Sequence, residues 1–590
     1  MRSYLLPLAA LLTISSFTVC AQKKDRNGNQ SLLQLMYDYD EASLKLDPIS
    51  ATARGDNRYN HILFIDFTDS FRLEQEKLYS RQWNSLMTVN RSKLGDQDKI
   101  NYDLLKLELE MKREALTLKT NLLPFNQSRG LPLYLPLFGS GTGLHPFKTV
   151  TDYDNWLLRA AVFPAWSDSA IAYFRRGVAG GFVHPKAVVE KMIPQMADLI
   201  KTDPTQSLFF QPINKLPADF SENDKQRLTA SYKKLITEQL NPAYQKLYDF
   251  LQQEYLPKAR LTSGYGSLPG GDKIYNFFIR YYTTTNLSAD DVFNTGLSEV
   301  RRIKAEMEKV KIELGYTGTL NELFAYMKSD PKFYPYKTEE EILNAYRAIQ
   351  QRIEPGLKTM FNHTPKTAFE IRQVEAFRAA SATPHHMAGS LENNRPGIFY
   401  VPIVNVSTTS VEVSFFLHEG IPGHHYQQSL QHENTSLPTL RRYSGNAAYG
   451  EGWGLYAESL GKELGVYTDQ YQYMRALGWE MHRAIRLVVD AGMHAKGWSR
   501  EQAIKYMIDN EPITEQAAVP EIERYMSVPG QALSYKIGEL KIKELRARYS
   551  KQLGTSFNLA AFHDALLMDG NLPLEVLERK MDAWAKQQKK

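Results

Sequence analysis

Cysteine is nearly absent: among 590 residues only Cys20 carries a thiol. The stretch around it, "MRSYLLPLAALLTISSFTVCAQ", has one basic residue, an apolar run from Tyr4 to Val19 and small residues near Ala21. That is the pattern of a secretory signal peptide over 1–21. Cleavage after Ala21 leaves a chain without cysteine, so neither disulfides nor thiolate-bound zinc can support it. Any metal must then rest on histidine and carboxylate. The alternative, a lipid anchor on Cys20, wants a small residue just before the cysteine, and Val19 and Phe17 suit it poorly. The run is short of the ~20 apolar residues of a membrane span. The expectation is a periplasmic or secreted protein.

Charge of one sign is also scarce. A net +5 spread over the whole chain, with no basic stripe, argues against a nucleic-acid partner. There is no low-complexity tract, no internal repeat and no obvious flexible linker, and the oligomeric state is left open.

What is present is helical periodicity. In "LSADDVFNTGLSEVRRIKAEMEKV" Ser288 can cap with Asp291 three residues on, and Phe293, Leu297, Val300, Ile303 and Met307 keep one apolar stripe. Similar patterns recur over 31–47, 96–120, 222–255, 339–360, 446–464, 469–496 and 535–549, separated by Pro/Gly turns. The best strand is "PGIFYVPIVNV" at 396–406. The fold expected is mainly α with a small β-sheet, as one two-lobed body: a helical region over 22–370 and a chemistry-bearing region over 371–590. Eight of the thirteen histidines fall between 385 and 494.

The segment "SFFLHEGIPGHHYQQ" starts as a metal-binding helix of the H-E-x-x-H kind and departs from it, because Pro422 stands where the second histidine belongs. Proline cannot donate to the His418 carbonyl and its ring crowds it, so the helix must kink or widen. On an unbroken helix His424 would point about 120° away from His418, and His425 would sit about 10 Å along the axis. A break at Pro422-Gly423 lets two residues bulge out and brings His424 onto the face of His418; His425 stays an alternative. The plain reading is a helix end followed by a turn with exposed histidines. Further on, "MHRAIRLVVDAGMHAKGW" carries His482, Arg486, Asp490 and His494 at every fourth position, a polar stripe on an apolar helix. It serves either as an internal ion-pair ladder or, like His425, as support for ligands and substrate.

"YGEGWGLYAE", Tyr449 to Glu458, resembles the "NEGFAxYxE"-like segment from which zinc peptidases of the glutamate-zincin (gluzincin) type draw their third ligand. That resemblance selects Glu451 over Glu458. With His418 and His424 it implies one catalytic Zn2+ with an open position and Glu419 as general base. In "IERYMSVPGQALSYKIGEL", Tyr535 or Tyr525 is the candidate oxyanion donor, since these peptidases often use tyrosine there. Taken together, "YNFFIRYYTTTNLSADDVFNTGLSEV", "NNRPGIFYVP", "FFLHEGIPGHHYQ", "YGEGWGLYAE", "RAIRLVVDAGMHAKGWS" and "RYMSVPGQALSYKIG" resemble the bacterial domain-of-unknown-function family 885, grouped with the zincin-like metallopeptidases. The resemblance implies a helical zincin-like fold, His418, His424 and Glu451 as zinc ligands, and "RPGIFYV" as the strand lining a cleft. The family's asparagine after "YV" is Pro402 here. Expected is hydrolysis of short peptides; the alternatives are another amide or ester, such as a cell-wall fragment, and a non-catalytic periplasmic binding protein.

Overall fold

The computed structural model describes residues 22–375, 379, 382–391 and 394–589. Residues 1–21, where a signal peptide is expected, lie outside the described residues together with Cys20, as do Glu392 and Asn393. The predicted helices form. The capping box of Ser288 and Asp291 opens the helix α1 (Ala289–Glu313), whose stripe of Val300, Ile303 and Met307 is buried. Within the described residues no helix is long and apolar enough to cross a membrane.

Six further helices position the site: α2 (Val413–Glu419), α3 (His424–Glu433), α4 (Ala447–Ser459), α5 (Gln470–Lys496), α6 (Glu515–Ser527) and α7 (Ser534–Leu553). The most buried of them, α5, is the spine of the molecule. Its Met474, Ile485 and Val488 join one large apolar core with the helices between Val150 and Tyr255, while Leu487 and Ala491 belong to the core under α2 and α4. Along its length it packs on α1, where Gly296 leaves room for Val488; a Cβ there would fall 2.7 Å from Val488 Cγ2.

The small sheet has the order β1–β3–β2, from β1 (Phe369–Gln373), β2 (His385–Met387) and β3 (Gly397–Val401). The central strand β3 pairs parallel with β1, Phe369 opposite Gly397, and antiparallel with β2, His386 opposite Phe399. A strand covered on both faces reads as a continuous apolar run, which is why "GIFYV" was legible.

Helices α4 and α7 cross backbone on backbone. A Cβ on Gly538 would lie 1.8 Å from the Ala448 carbonyl oxygen, and one on Gly452 would lie 2.5 Å from the backbone of Gly538. Gly538→Ala must push the helices apart and is expected to lower stability by about 3 kcal/mol, read from the denaturant midpoint.

Candidate metal centre

Pro422 does more than kink the helix. α2 ends at Glu419, where the Gly420 N–H closes on the Phe416 carbonyl at 2.9 Å, and α3 starts afresh at His424. Two contacts hold the break. The Trp453 indole of α4 donates to the Pro422 carbonyl at 2.8 Å, and Gly423 passes so close to the end of α2 that a Cβ would sit 1.9 Å from the His418 carbonyl oxygen. The restart of the helix turns His424 toward His418; their ring centroids are 4.7 Å apart at 88°.

The third group comes from α4. Glu451 and Glu458 are seven residues apart, two helical turns, and so share one face. Gly454 lies between them, and the His418 ring rests on it: a Cβ at Gly454 would fall 2.6 Å from His418 Cε1. Glu451 Oε2 then stands 3.3 Å from His418 Nε2 and 3.4 Å from His424 Nε2. Glu458 Oε1 lies 2.8 Å from His418 Nδ1. Ligand atoms of His418, His424 and Glu451 all fall within 4.8 Å of one another, the one such group among the described residues.

Two imidazole nitrogens and one carboxylate suit Zn2+, and Glu458 sits on the far nitrogen of His418 where a ligating histidine usually has its carboxylate partner. The electrostatics agree. Burial disfavours a charged His418 ring, yet Glu451, Glu458 and Glu419 outweigh it and hold the imidazole up at about 10. Against its own burial, Glu451 is held well below the usual carboxylate range by the two histidines. Such a concentration of negative charge is what a cation would neutralise.

Glu419, one residue beyond His418, points at the sheet, and its Oε2 accepts the His386 backbone N–H of β2 at 2.9 Å. The Tyr535 ring stacks near His418 at 6.3 Å and 25°, with the Arg486 guanidinium 4.8 Å from the same ring. Burial raises its phenol. Tyr525 is placed differently: it is fully buried, and its hydroxyl accepts from Arg486 Nε at 2.8 Å and donates to Glu521. His425 turns away from the cluster onto Phe369 and Gly397, where a Cβ would fall 2.3 Å from its Nδ1.

The polar stripe of α5 clamps the segment that carries the two tyrosines. His482 Nδ1 meets Glu511 at 2.8 Å and its Nε2 faces Glu521 at 3.6 Å. Both nitrogens of His494 are engaged by backbone, the Tyr265 N–H at 3.0 Å and the Tyr525 carbonyl at 3.0 Å. Asp490 accepts from the Tyr275 hydroxyl at 2.7 Å and from the Gly530 N–H at 3.2 Å; Gly530 begins the turn into Tyr535.

Complete burial pushes the Asp490 carboxyl up to about 7, although Tyr275, Gly530 and the charge of Arg524 favour the anion. Unfolded, it titrates near about 3.9. Between about pH 4 and 7 the folded chain therefore keeps a proton that the unfolded chain has released, so stability falls as pH rises through that window and levels above it. Asp490→Asn removes this slope. Relative to wild type the variant is expected to gain on the order of 4 kcal/mol between the two ends of the window, measured by urea unfolding at each pH.

Glu458, Glu521, His386 and Gly454 were not among the expected site residues. The seven-residue spacing of Glu451 and Glu458 was the available signal for the first. Among the described residues, His386 has two buried ring nitrogens without a hydrogen-bond partner and His424 has one, its Nδ1; buried polar atoms of this kind call for an explanation.

A model of the bacterial family of proteins of unknown function DUF885 matches residues 48–581. Two solved structures share the fold. One is a candidate lipoprotein from Colwellia psychrerythraea, 26% identical, with a TM-score of 0.87, covering 95% of this chain and 100% of that one. The other is a candidate lipoprotein of unknown function from Shewanella oneidensis, 19% identical, with a TM-score of 0.73, covering 93% and 99%. A comparison with curated proteins finds no significant match.

Proposed function

The chain belongs to the DUF885 family, whose name carries no activity, and from the geometry of the site we propose that it is an exported zinc metallopeptidase acting on short peptides. The observation that carries this reading is the convergence of His418, His424 and Glu451 beside Glu419. Those three residues would hold one zinc ion, which when bound would supply the Lewis acidity to polarise a carbonyl and acidify a water. Glu419 takes the proton of the attacking water and passes it to the leaving nitrogen. Tyr535 donates its O–H to the oxygen that becomes negative, and Arg486, stacked on its ring, keeps the phenol in place. Glu458 fixes the His418 ring so that Nε2 is turned toward Glu451 and is free to bind a metal. A zincin-like catalytic half facing a helical lobe would enclose the substrate. Export fits the signal-like start and the lipoprotein relatives.

The test is metal analysis with a peptide assay. Protein purified without chelator is expected to hold one zinc per chain and to cleave a mixed peptide library. A strong chelator should abolish cleavage, and added Zn2+ should restore it. Metal-free protein that still hydrolyses peptides would remove the reading, as would zinc-loaded protein that cleaves none.

A further inference from the structure

Tyr535, beside the metal centre, stands in a positive field. Burial and the nearby Glu451 raise its phenol, and the charges of Arg486, Arg524 and Arg483 pull the other way. Arg524 approaches from α6. Its Nη1 donates at 3.0 Å to Oε1 of Gln531, four residues before Tyr535, and its Nη2 donates to Glu521 Oε2 at 2.9 Å. That same oxygen takes the Tyr525 hydroxyl and faces Arg486 Nη2 at 3.4 Å and His482 Nε2 at 3.6 Å. Four donors crowd one carboxylate oxygen, which has two lone pairs.

Among the described residues Glu521 is the one carboxylate paired with either guanidinium. Two permanent cations therefore share one anion. Arg524 is the accessible one of the two, its side chain 31% exposed against 10% for Arg486. Gln531 and Glu521 occupy only two of its five N–H donors.

Resting on the peptidase reading above, we propose that Arg524, with Arg486 behind it, binds a carboxylate of the substrate peptide close to the bond that is cut. The free C-terminus is one source of that group, and then the protein is a carboxy-terminal exopeptidase; an acidic side chain is the other. The reach fits. The Arg486 guanidinium is 4.8 Å from the Tyr535 ring, and that ring is 6.3 Å from His418, a span covered by one to three residues of extended chain at ~3.3–3.6 Å each. A guanidinium holds a carboxylate by two charge-assisted hydrogen bonds. A substrate amine would meet two arginines whose counter-ion is already crowded, and like charges repel. An apolar side chain would cover the spare donors without satisfying them.

The experiment uses the full-length, zinc-loaded protein and a Gln-rich peptide of one sequence in three forms: with a free C-terminal carboxylate, with a C-terminal amide, and with the amide and Glu in place of Gln. Wild type is expected to favour a carboxylate-bearing form over the neutral one by roughly ten- to a hundredfold in kcat/KM, mostly through KM, as one charge-assisted hydrogen bond supplies. Preference for the first form, with cuts near its end, identifies the C-terminus as the group bound; preference for the third identifies a side chain. Arg524→Gln is expected to bring the ratio close to one, and Arg524→Lys, which keeps the charge and loses the fork, to retain part of it. Zinc content and melting temperature report that both variants are folded. A merely structural role would slow all three forms alike and leave the ratio unchanged. That result, or equal cleavage of the three forms by wild type, overturns the proposal and leaves the peptidase reading standing. A wild type that cleaves none of them removes both.

Discussion

Glu419→Gln is expected to lower peptide hydrolysis by roughly a thousandfold, within the range a positioned general base contributes, while zinc content stays at the wild-type level. Gln matches Glu in shape, and its amide oxygen can still accept the His386 N–H that holds the side chain against β2. The variant thus removes the basicity and keeps the geometry. Single-turnover rates and zinc stoichiometry on the same preparation separate the two roles. Lost zinc would make Glu419 a ligand, and unchanged turnover with zinc bound would leave it with no part in proton transfer.

Much of the scaffold was legible because long amphipathic helices announce themselves. The stripes of α1 and α5 are periodic over six or more turns, and the cap at Ser288 has a side chain that accepts from the amide three residues on. The same physics exposed Pro422 as a break. What it left open was how the chain continues: a complete stop and restart needs Trp453 and Gly423 to hold it, and both act through tertiary contact. Strands β1 and β2 escaped notice because "FEIRQ" and "HHM" are too short for a period and exist only as partners of β3. The stripe of His482, Arg486, Asp490 and His494 was visible as a stripe. Its partners, Glu511, Glu521, Gly530 and Tyr265, lie up to 229 residues away in sequence, so no local pattern could name them. Glu451 and Glu458 stood out together; only the lie of the His418 ring, between them on Gly454, gives each its nitrogen.

That division of labour yields the second large effect. Glu451 reaches both Nε2 atoms, whereas Glu458 meets His418 at Nδ1 and, on its other side, faces Arg483 at 3.7 Å. Glu451→Ala removes one of the three proposed protein donors and is expected to leave zinc binding too weak to survive dialysis, with activity gone. Glu458→Ala removes the group that orients a ligand, and loss of such a partner costs roughly ten- to a hundredfold in metal affinity or activity. Glu458→Gln should recover part of that loss, because its amide oxygen can still accept the His418 Nδ1–H. The measurement is a competitive titration against a chromogenic chelator, with circular dichroism on each variant as the control for folding. The order expected is wild type, Glu458→Gln, Glu458→Ala, then Glu451→Ala. If the two alanine variants exchanged places, Glu458 would be the ligand and Glu451 its support, and α4 would have to rotate or slide along its axis to deliver it. The packing of Gly452 on Gly538 and of Gly454 on the His418 ring leaves no room for that movement.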